Sequence, residues 1–108
     1  MAERLGKYTI VLNSHPSVTG YAAVVGKTEG EGPLKDEFDF VFEDDTLGEA
    51  SFEKAESALQ KEAVTRALSK AGKTSDEVDF SLAGDLLNQC IGSSFGLRSL
   101  NMPFIGLY

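Results

Sequence analysis

Hydrophobic and polar residues follow a helical period through the middle of this chain of 108 residues. From Phe52 to Ala71 the apolar residues recur at three- to five-residue steps, and Glu and Lys fill the positions between them. This spacing is typical of an amphipathic helix. Ser51 is suited to cap its first turn and Gly72 to end it. The pattern therefore predicts one long helix over Ser51–Ala71.

Shorter apolar segments indicate strands. Tyr8–Leu12 and Tyr21–Val25 are separated by turn residues, which predicts two early strands joined by a turn. Between Val78 and Leu82 every second residue is apolar, as in a strand with one buried face. Phe104–Tyr108 is a nearly continuous apolar run, which predicts a strand buried on both faces and a fold that continues beyond it.

A second helix is predicted from about Leu86 to Leu100, because Asn101 and Pro103 follow as helix-ending residues. Gly92 and Gly96 lie four residues apart, on one face of this helix. We interpret that face as the side that closely approaches a sheet or another helix.

The segment 26–50 is rich in glycine and acidic residues, and only Phe38, Phe40 and Phe42 alternate as in a strand. It is predicted to be a long excursion with one buried edge, a kind of segment that often carries binding or interface work. Strands and helices alternate in the rest of the chain. A single α/β domain with a mostly parallel sheet is therefore expected over residues 1–108.

Charge and composition exclude several classes of function. The net charge of −7 disfavours nucleic acid and anionic membrane surfaces as partners. A single cysteine excludes an internal disulfide and a multi-cysteine metal site. No apolar run is long enough for a bilayer span or a signal peptide. Synthesis on the cytosolic side without direct membrane insertion is therefore expected.

Asp85 is the strongest candidate for a functional residue. It follows Gly84, which permits a sharp turn, at the carboxyl end of a predicted strand and the start of a helix. Open α/β sheets bind ligands at such places, and a carboxylate there can equally cap the helix, so the two roles are compatible. Asn88 and Gln89 lie within one turn and offer amide donors and acceptors, or they form a solvated helix flank.

Other chemistry-bearing residues favour structural interpretations. Cys90, inside the predicted helix and without a nearby base, is predicted to be a buried, inert thiol. His15, before a proline, is most simply a turn residue. The acidic cluster Glu43–Asp45 is too irregular for a calcium loop. The glycine-rich segment 26–32 lacks the ending of a phosphate-binding loop, and no metal or cofactor site is predicted.

Four segments taken together resemble a known family. EGPLKDEFD, SFEKAESALQKEAVTRALSKAG, DEVDFSLAGDLLNQ and LNMPFIGLY resemble, in this order, the amino-terminal part of the stage V sporulation protein AD family. That family belongs to the thiolase-like superfamily. The resemblance covers nearly the whole chain. It implies a partial thiolase-like α/β fold with a mostly parallel or mixed sheet, in a spore-forming bacterium.

The resemblance also implies a function. Family members help to move dipicolinic acid across the inner spore membrane, together with the membrane proteins of their operon. It implies a non-catalytic, peripheral protein that forms homo-oligomers. Asp85 and Leu86 match the Asp-Leu pair that contacts the ligand, with Asn88 and Gln89 as added candidates. The family's cysteine loop, which follows the strand equivalent to PFIGLY, is not among these residues, and Cys90 does not replace it.

Some alternatives stay open at this point. An acyl-transferring enzyme of the thiolase type and a plain acidic interaction module are the competing classes of function. An acidic side chain facing the dipicolinate dianion also requires an explanation. Calcium bridges the two, or Asp85 is protonated, or Asp85 turns towards the helix amides.

Overall fold

The computed structural model describes residues 2–87 and 90–107. The strands are β1 (Ala2–Leu5), β2 (Thr9–Leu12), β3 (Val24–Val25), β4 (Phe40–Val41), β5 (Ser81–Ala83) and β6 (Phe104–Gly106). The helices are α1 (Lys27–Gly30), α2 (Phe52–Ala71) and α3 (Ile91–Leu97), with 3-10 turns at Ser75–Glu77 and Arg98–Leu100. The described part of the chain is thus of the α/β class.

The strands form three separate pairs in place of one sheet. β1 and β2 are antiparallel, whereas β3 with β4 and β5 with β6 are parallel. A mostly parallel or mixed sheet was expected, and two of the three pairs are parallel. The two early strands were wrongly expected to be joined as neighbours. β2 pairs with the preceding β1, and β3 is shortened to two residues that pair with β4.

The long helix α2 has the predicted bounds and caps. The Lys54 N–H donates to Ser51 Oγ at 3.2 Å, which satisfies one free amide of the first turn. Gly72 adopts the left-handed conformation, with φ 67°, and ends the helix. Among the α2 residues, Ala55 is the one that is fully buried. The helix therefore buries little of its surface against the rest of the described chain.

The second helix starts later than predicted. α3 begins at Ile91, five residues beyond the expected Leu86, because Cys90 has φ 62° and cannot continue a right-handed helix. Its predicted end is confirmed, since the 3-10 turn Arg98–Leu100 stops at Asn101, which has φ 55°. A Cβ added to Gly96 would lie 2.5 Å from the Ser57 carbonyl oxygen. The close approach predicted for this face is therefore an approach to α2.

The strand predicted over Val78–Leu82 lies at Ser81–Ala83. Val78 ends a 3-10 turn, and pairing begins where the Ser81 N–H donates to the Pro103 carbonyl at 2.7 Å. The apolar side chains of this segment, which the alternation predicted to share a buried face, are not buried. Phe80 and Leu82 are both 56% exposed.

The segment 26–50 holds more structure than the excursion that was predicted. It contains the single turn α1 and the strand β4, which covers part of the phenylalanine alternation. Asp45 joins its two ends, because one carboxylate oxygen accepts from the Thr28 N–H at 2.9 Å and the other from the Thr28 hydroxyl. The glycine-rich stretch is thus a capped helical turn.

The buried hydrophobic side chains in the described residues are few. They are Val24, Ala55, Cys90 and Leu97. Ser93 has no exposed surface at all. Three of these five lie at or in α3, so the most protected part of the chain is where α3 meets α2 and the end of β5. Within residues 2–87 and 90–107, no helix has both the length and the apolarity needed to cross a bilayer.

Candidate functional site

The candidate site lies where β5 ends and α3 begins. We call residues 84–87 together with the first turn of α3 the Asp85 junction. Gly84 allows the chain to leave β5 beside β6, because a Cβ at this position would lie 2.9 Å from the Leu107 carbonyl oxygen. The structure thus gives Gly84 a role other than the predicted sharp turn, because two backbones approach each other closely here.

The Asp85 carboxylate caps α3 from outside the helix. Oδ1 accepts from the Ser93 N–H at 2.7 Å and from the Ser93 hydroxyl. Oδ2 accepts from the Gly92 N–H. These amides belong to the first turn of α3, which gets no capping bond from the Cys90 side chain that precedes it. The cap predicted for Asp85 is confirmed, although the helix it caps starts at Ile91.

Asp85 is held as a carboxylate. Burial is the largest influence on its pKa and raises it, but hydrogen bonds from the Ser93 hydroxyl, the Ser93 and Gly92 amides and Gln60 together outweigh burial. The pKa of Asp85 therefore lies below its ordinary value of 3.8. Asp85 is therefore ionised and turned towards the helix amides, which is one of the three arrangements considered from the sequence.

The long helix α2 holds the other side of the junction. The Leu86 N–H donates to Glu56 Oε1 at 2.7 Å, and the Leu87 N–H donates to Oε2 at 3.3 Å. One turn further along α2, Gln60 Nε2 donates to the Gly84 carbonyl at 3.3 Å. Glu56 was not predicted from the sequence, because its position in the pattern is that of many solvent-facing acids on an amphipathic helix. Only the packing of the junction on α2 distinguishes it.

The junction exposes apolar side chains. Leu86 is 92% exposed and Leu87 is 49% exposed. Both border a groove of about 280 Å³ between α2 and the segment 26–50. Its other lining residues are Gly26, Asp45, Leu47, Phe52, Ala55, Glu56 and Leu59. The predicted site residues Asn88 and Gln89 lie outside the described residues.

Cys90 is buried, as predicted, but it precedes α3 and does not lie inside a helix. It is 5% exposed, and its Sγ–H donates to the Leu107 carbonyl at 3.2 Å. The thiol thus ties the start of α3 to the chain that follows β6. His15 occupies an exposed turn with φ 47°, as predicted.

No metal site is evident in residues 2–87 and 90–107, where no three His, Cys, Asp or Glu side chains cluster. Two acids of the cluster Glu43–Asp45 accept hydrogen bonds from within the segment 26–50. Asp44 accepts from the Thr46 hydroxyl at 2.9 Å and the Gly48 N–H at 3.1 Å. Asp44 and Asp45 thus help to shape this segment.

Fold and site together define an α/β chain in which a strand-to-helix junction presents an acidic and an apolar residue in succession. Residues 6–108 match the family model of stage V sporulation protein AD (SpoVAD), and the chain belongs to that family. The chain is similar to stage V sporulation protein AD of Bacillus subtilis (strain 168), with 36% identity over 103 residues. These cover 95% of this chain and 30% of the relative's length.

Family membership confirms the resemblance carried by the sequence motifs. The Asp85 junction lies inside the matched region, and so does the whole of α2 that supports it. Because the chain spans about a third of its relative's length, the activity of a whole family member is only proposed for this chain.

Proposed function

We propose that this chain is a non-catalytic, dipicolinate-binding part of the machinery that moves dipicolinic acid across the inner spore membrane. It acts peripherally at that membrane as a homo-oligomer, with the membrane proteins of its operon, and takes dipicolinate alone or as the calcium complex. The observation that carries the proposal is the Asp85 junction, where the Asp-Leu pair implied by the resemblance is fixed on three sides.

The junction reduces the electrostatic obstacle to a dianionic ligand. The negative charge of Asp85 is compensated by the amides of Gly92 and Ser93, which form part of the positive end of α3. The exposed Leu86 side chain offers an apolar surface for the aromatic ring of dipicolinate. Asn88 and Gln89 follow directly in sequence, and we propose that their amide groups donate to the ligand's carboxylates.

A non-catalytic role agrees with the state of the candidate nucleophile. Cys90 is buried and its thiol donates to a backbone carbonyl, whereas reactive cysteines are accessible and lie in electropositive surroundings. His15 lies in an exposed turn, far from Cys90 in sequence. This arrangement favours binding over acyl transfer for the described part of the chain.

Calorimetric titration of dipicolinate tests the proposal. We expect Asp85→Ala to weaken binding by more than the loss of its cap lowers stability, and Leu86→Ala to weaken binding with the fold unchanged. Leu34→Ala removes an equally apolar side chain, 56% exposed, from outside the junction and serves as the matched control. Equal affinity for Asp85→Ala, Leu86→Ala and the parent, or no binding by the parent, would contradict the proposal.

A further inference from the structure

Two carboxylates from different elements enclose the backbone of the Asp85 junction. Asp85 binds the amides of the first turn of α3, and Glu56 of α2 binds the amides of the two residues that follow Asp85. Both reach the same place. A Cβ added to Gly92 would lie 3.2 Å from Asp85 Oδ2 and 3.3 Å from Glu56 Oε2. Two negative charges therefore converge at a glycine, and each is compensated by backbone N–H groups.

We infer that Glu56 is a positioning residue that fixes the backbone at Leu86 and Leu87 and thereby sets the direction in which the Leu86 side chain leaves the junction. The identity of the ligand rests on the proposed function. We call the hydrogen bonds from the Leu86 and Leu87 amides to the Glu56 carboxylate the clamp. The geometry of the clamp does not depend on the identity of the ligand.

The contacts explain why this role falls to Glu56. Among the described residues, its carboxylate is the hydrogen-bond acceptor for both the Leu86 and Leu87 amides. Gln60, one helical turn later, holds the Gly84 carbonyl. One face of α2 thus forms hydrogen bonds with the junction both before and after Asp85.

The support is a long, capped helix, whereas the segment it holds is exposed. α2 has 20 residues and a cap at each end. The loop residues Gly84, Leu86 and Leu87 are all exposed, so burial does little to order them. Without the Glu56 carboxylate the two leucine amides would bind water, and the backbone between β5 and α3 would sample more conformations.

Hydrogen exchange resolved at single amides by NMR tests the clamp in the full chain. In Glu56→Ala we expect the Leu86 and Leu87 amides to exchange about tenfold faster or more, because each loses a charge-assisted hydrogen bond. In Glu56→Gln one oxygen remains, so Leu86, the closer donor, stays protected while Leu87 exchanges faster. Glu53→Ala removes the same charge from the preceding turn of α2, at an exposed side chain that forms no hydrogen bond with the described residues of the junction, and serves as the control.

The outcomes separate clearly. Unchanged exchange at both leucine amides in a folded Glu56→Ala variant would overturn the inference. If that variant does not fold, Glu56→Gln decides: selective loss of protection at Leu87 supports the clamp, and unchanged protection at both amides contradicts it.

Dipicolinate titration then connects the clamp to binding. We expect affinity to fall about tenfold in Glu56→Ala, with partial rescue in Glu56→Gln and no change in Glu53→Ala. Full affinity in Glu56→Ala, despite faster exchange at its leucine amides, would contradict a positioning role in binding. Failure of the parent to bind would refute the proposed function, and the exchange rates would still decide whether Glu56 orders the junction.

Discussion

The Asp85 junction and the β1–β2 hairpin are built from similar residues but held in opposite ways. Both combine apolar side chains with a few charges. At the junction, hydrogen bonds join α2 and α3 to the residues that follow β5, and Ser93 in the first turn of α3 is completely buried. In the hairpin every residue from 2 to 12 is exposed, and the side-chain contacts are local, such as Arg4 Nη2 donating to the Lys7 carbonyl at 2.8 Å.

This difference shows that an apolar pattern in the sequence does not by itself identify the residues that matter most for stability. The hairpin carries the stronger apolar pattern, with Tyr8 at 88% and Ile10 at 69% exposed. The junction instead depends on polar groups in partly buried surroundings, where an unpaired donor or acceptor is costly. Mutations of equal size should therefore have very different effects in the two regions.

The largest effect is expected from Gly96→Ala. The added methyl group meets the Ser57 backbone, which cannot rotate away as a side chain could, so α3 and α2 must separate. Overpacking of this kind costs about 1–3 kcal/mol of unfolding free energy. Urea denaturation measures it, and Ser99→Ala, an exposed position in the following 3-10 turn, is the control. A loss no greater than the control's would show that the helices do not pack tightly.

Asp85→Ala should come next. It removes the acceptors for the first amides of α3, and loss of a helix cap costs about 0.5–2 kcal/mol. The same denaturation assay checks this, with exposed Asp79→Ala as the matched loss of an aspartate. If the two variants were equally stable, the capping interaction would have no energetic weight.

The acid stability should depend on the same carboxylate. Because the folded-state pKa of Asp85 is lowered from 3.8, its contribution to stability is complete above that pH and is lost as the pH falls through the folded-state pKa. Asp85→Asn should therefore lose less thermal stability than the parent between about pH 5 and pH 2.5. Asp79→Asn is the control. An equal change in melting temperature for the parent and Asp85→Asn across this pH range would contradict the stabilising role of the ionised Asp85 carboxylate.

The smallest effect is expected in the hairpin. Ile10→Ala removes an exposed side chain, and such surface changes usually alter stability by less than about 0.5 kcal/mol. Thermal melting is sufficient to measure the change. A loss comparable with that of Gly96→Ala would mean that the hairpin is packed against something in solution.

Much of the fold could be predicted because its signals are local. The bounds of α2 follow from the residues at its two ends, Ser51 and Gly72, and its period follows from side chains that are close in sequence. The end of α3 was predictable for the same reason. Its start was not, because the left-handed backbone of Cys90 is a tertiary feature without a local sequence signal. The pairing of β3 with β4 was not predictable for a similar reason, since it joins segments that are distant in sequence.

The candidate site was predictable only in part. A carboxylate after a strand and a glycine predicted both a cap and a ligand contact at Asp85, and the cap is confirmed. Which way the carboxylate turns, and the part played by Glu56 from 30 residues earlier, depend on how α2 packs against the junction. Such long-range polar pairs leave no periodicity to detect.

The most direct test of dipicolinate binding at the Asp85 junction is a titration followed by amide chemical shifts in the NMR spectrum. We expect the largest shifts at Leu86 and Leu87 and at Gly92 and Ser93, with saturation at a single affinity. The amides of the β1–β2 hairpin, such as that of Ile10, should not move. Shifts confined to the hairpin, or no saturable shifts at all, would contradict the assignment of the junction as the binding site.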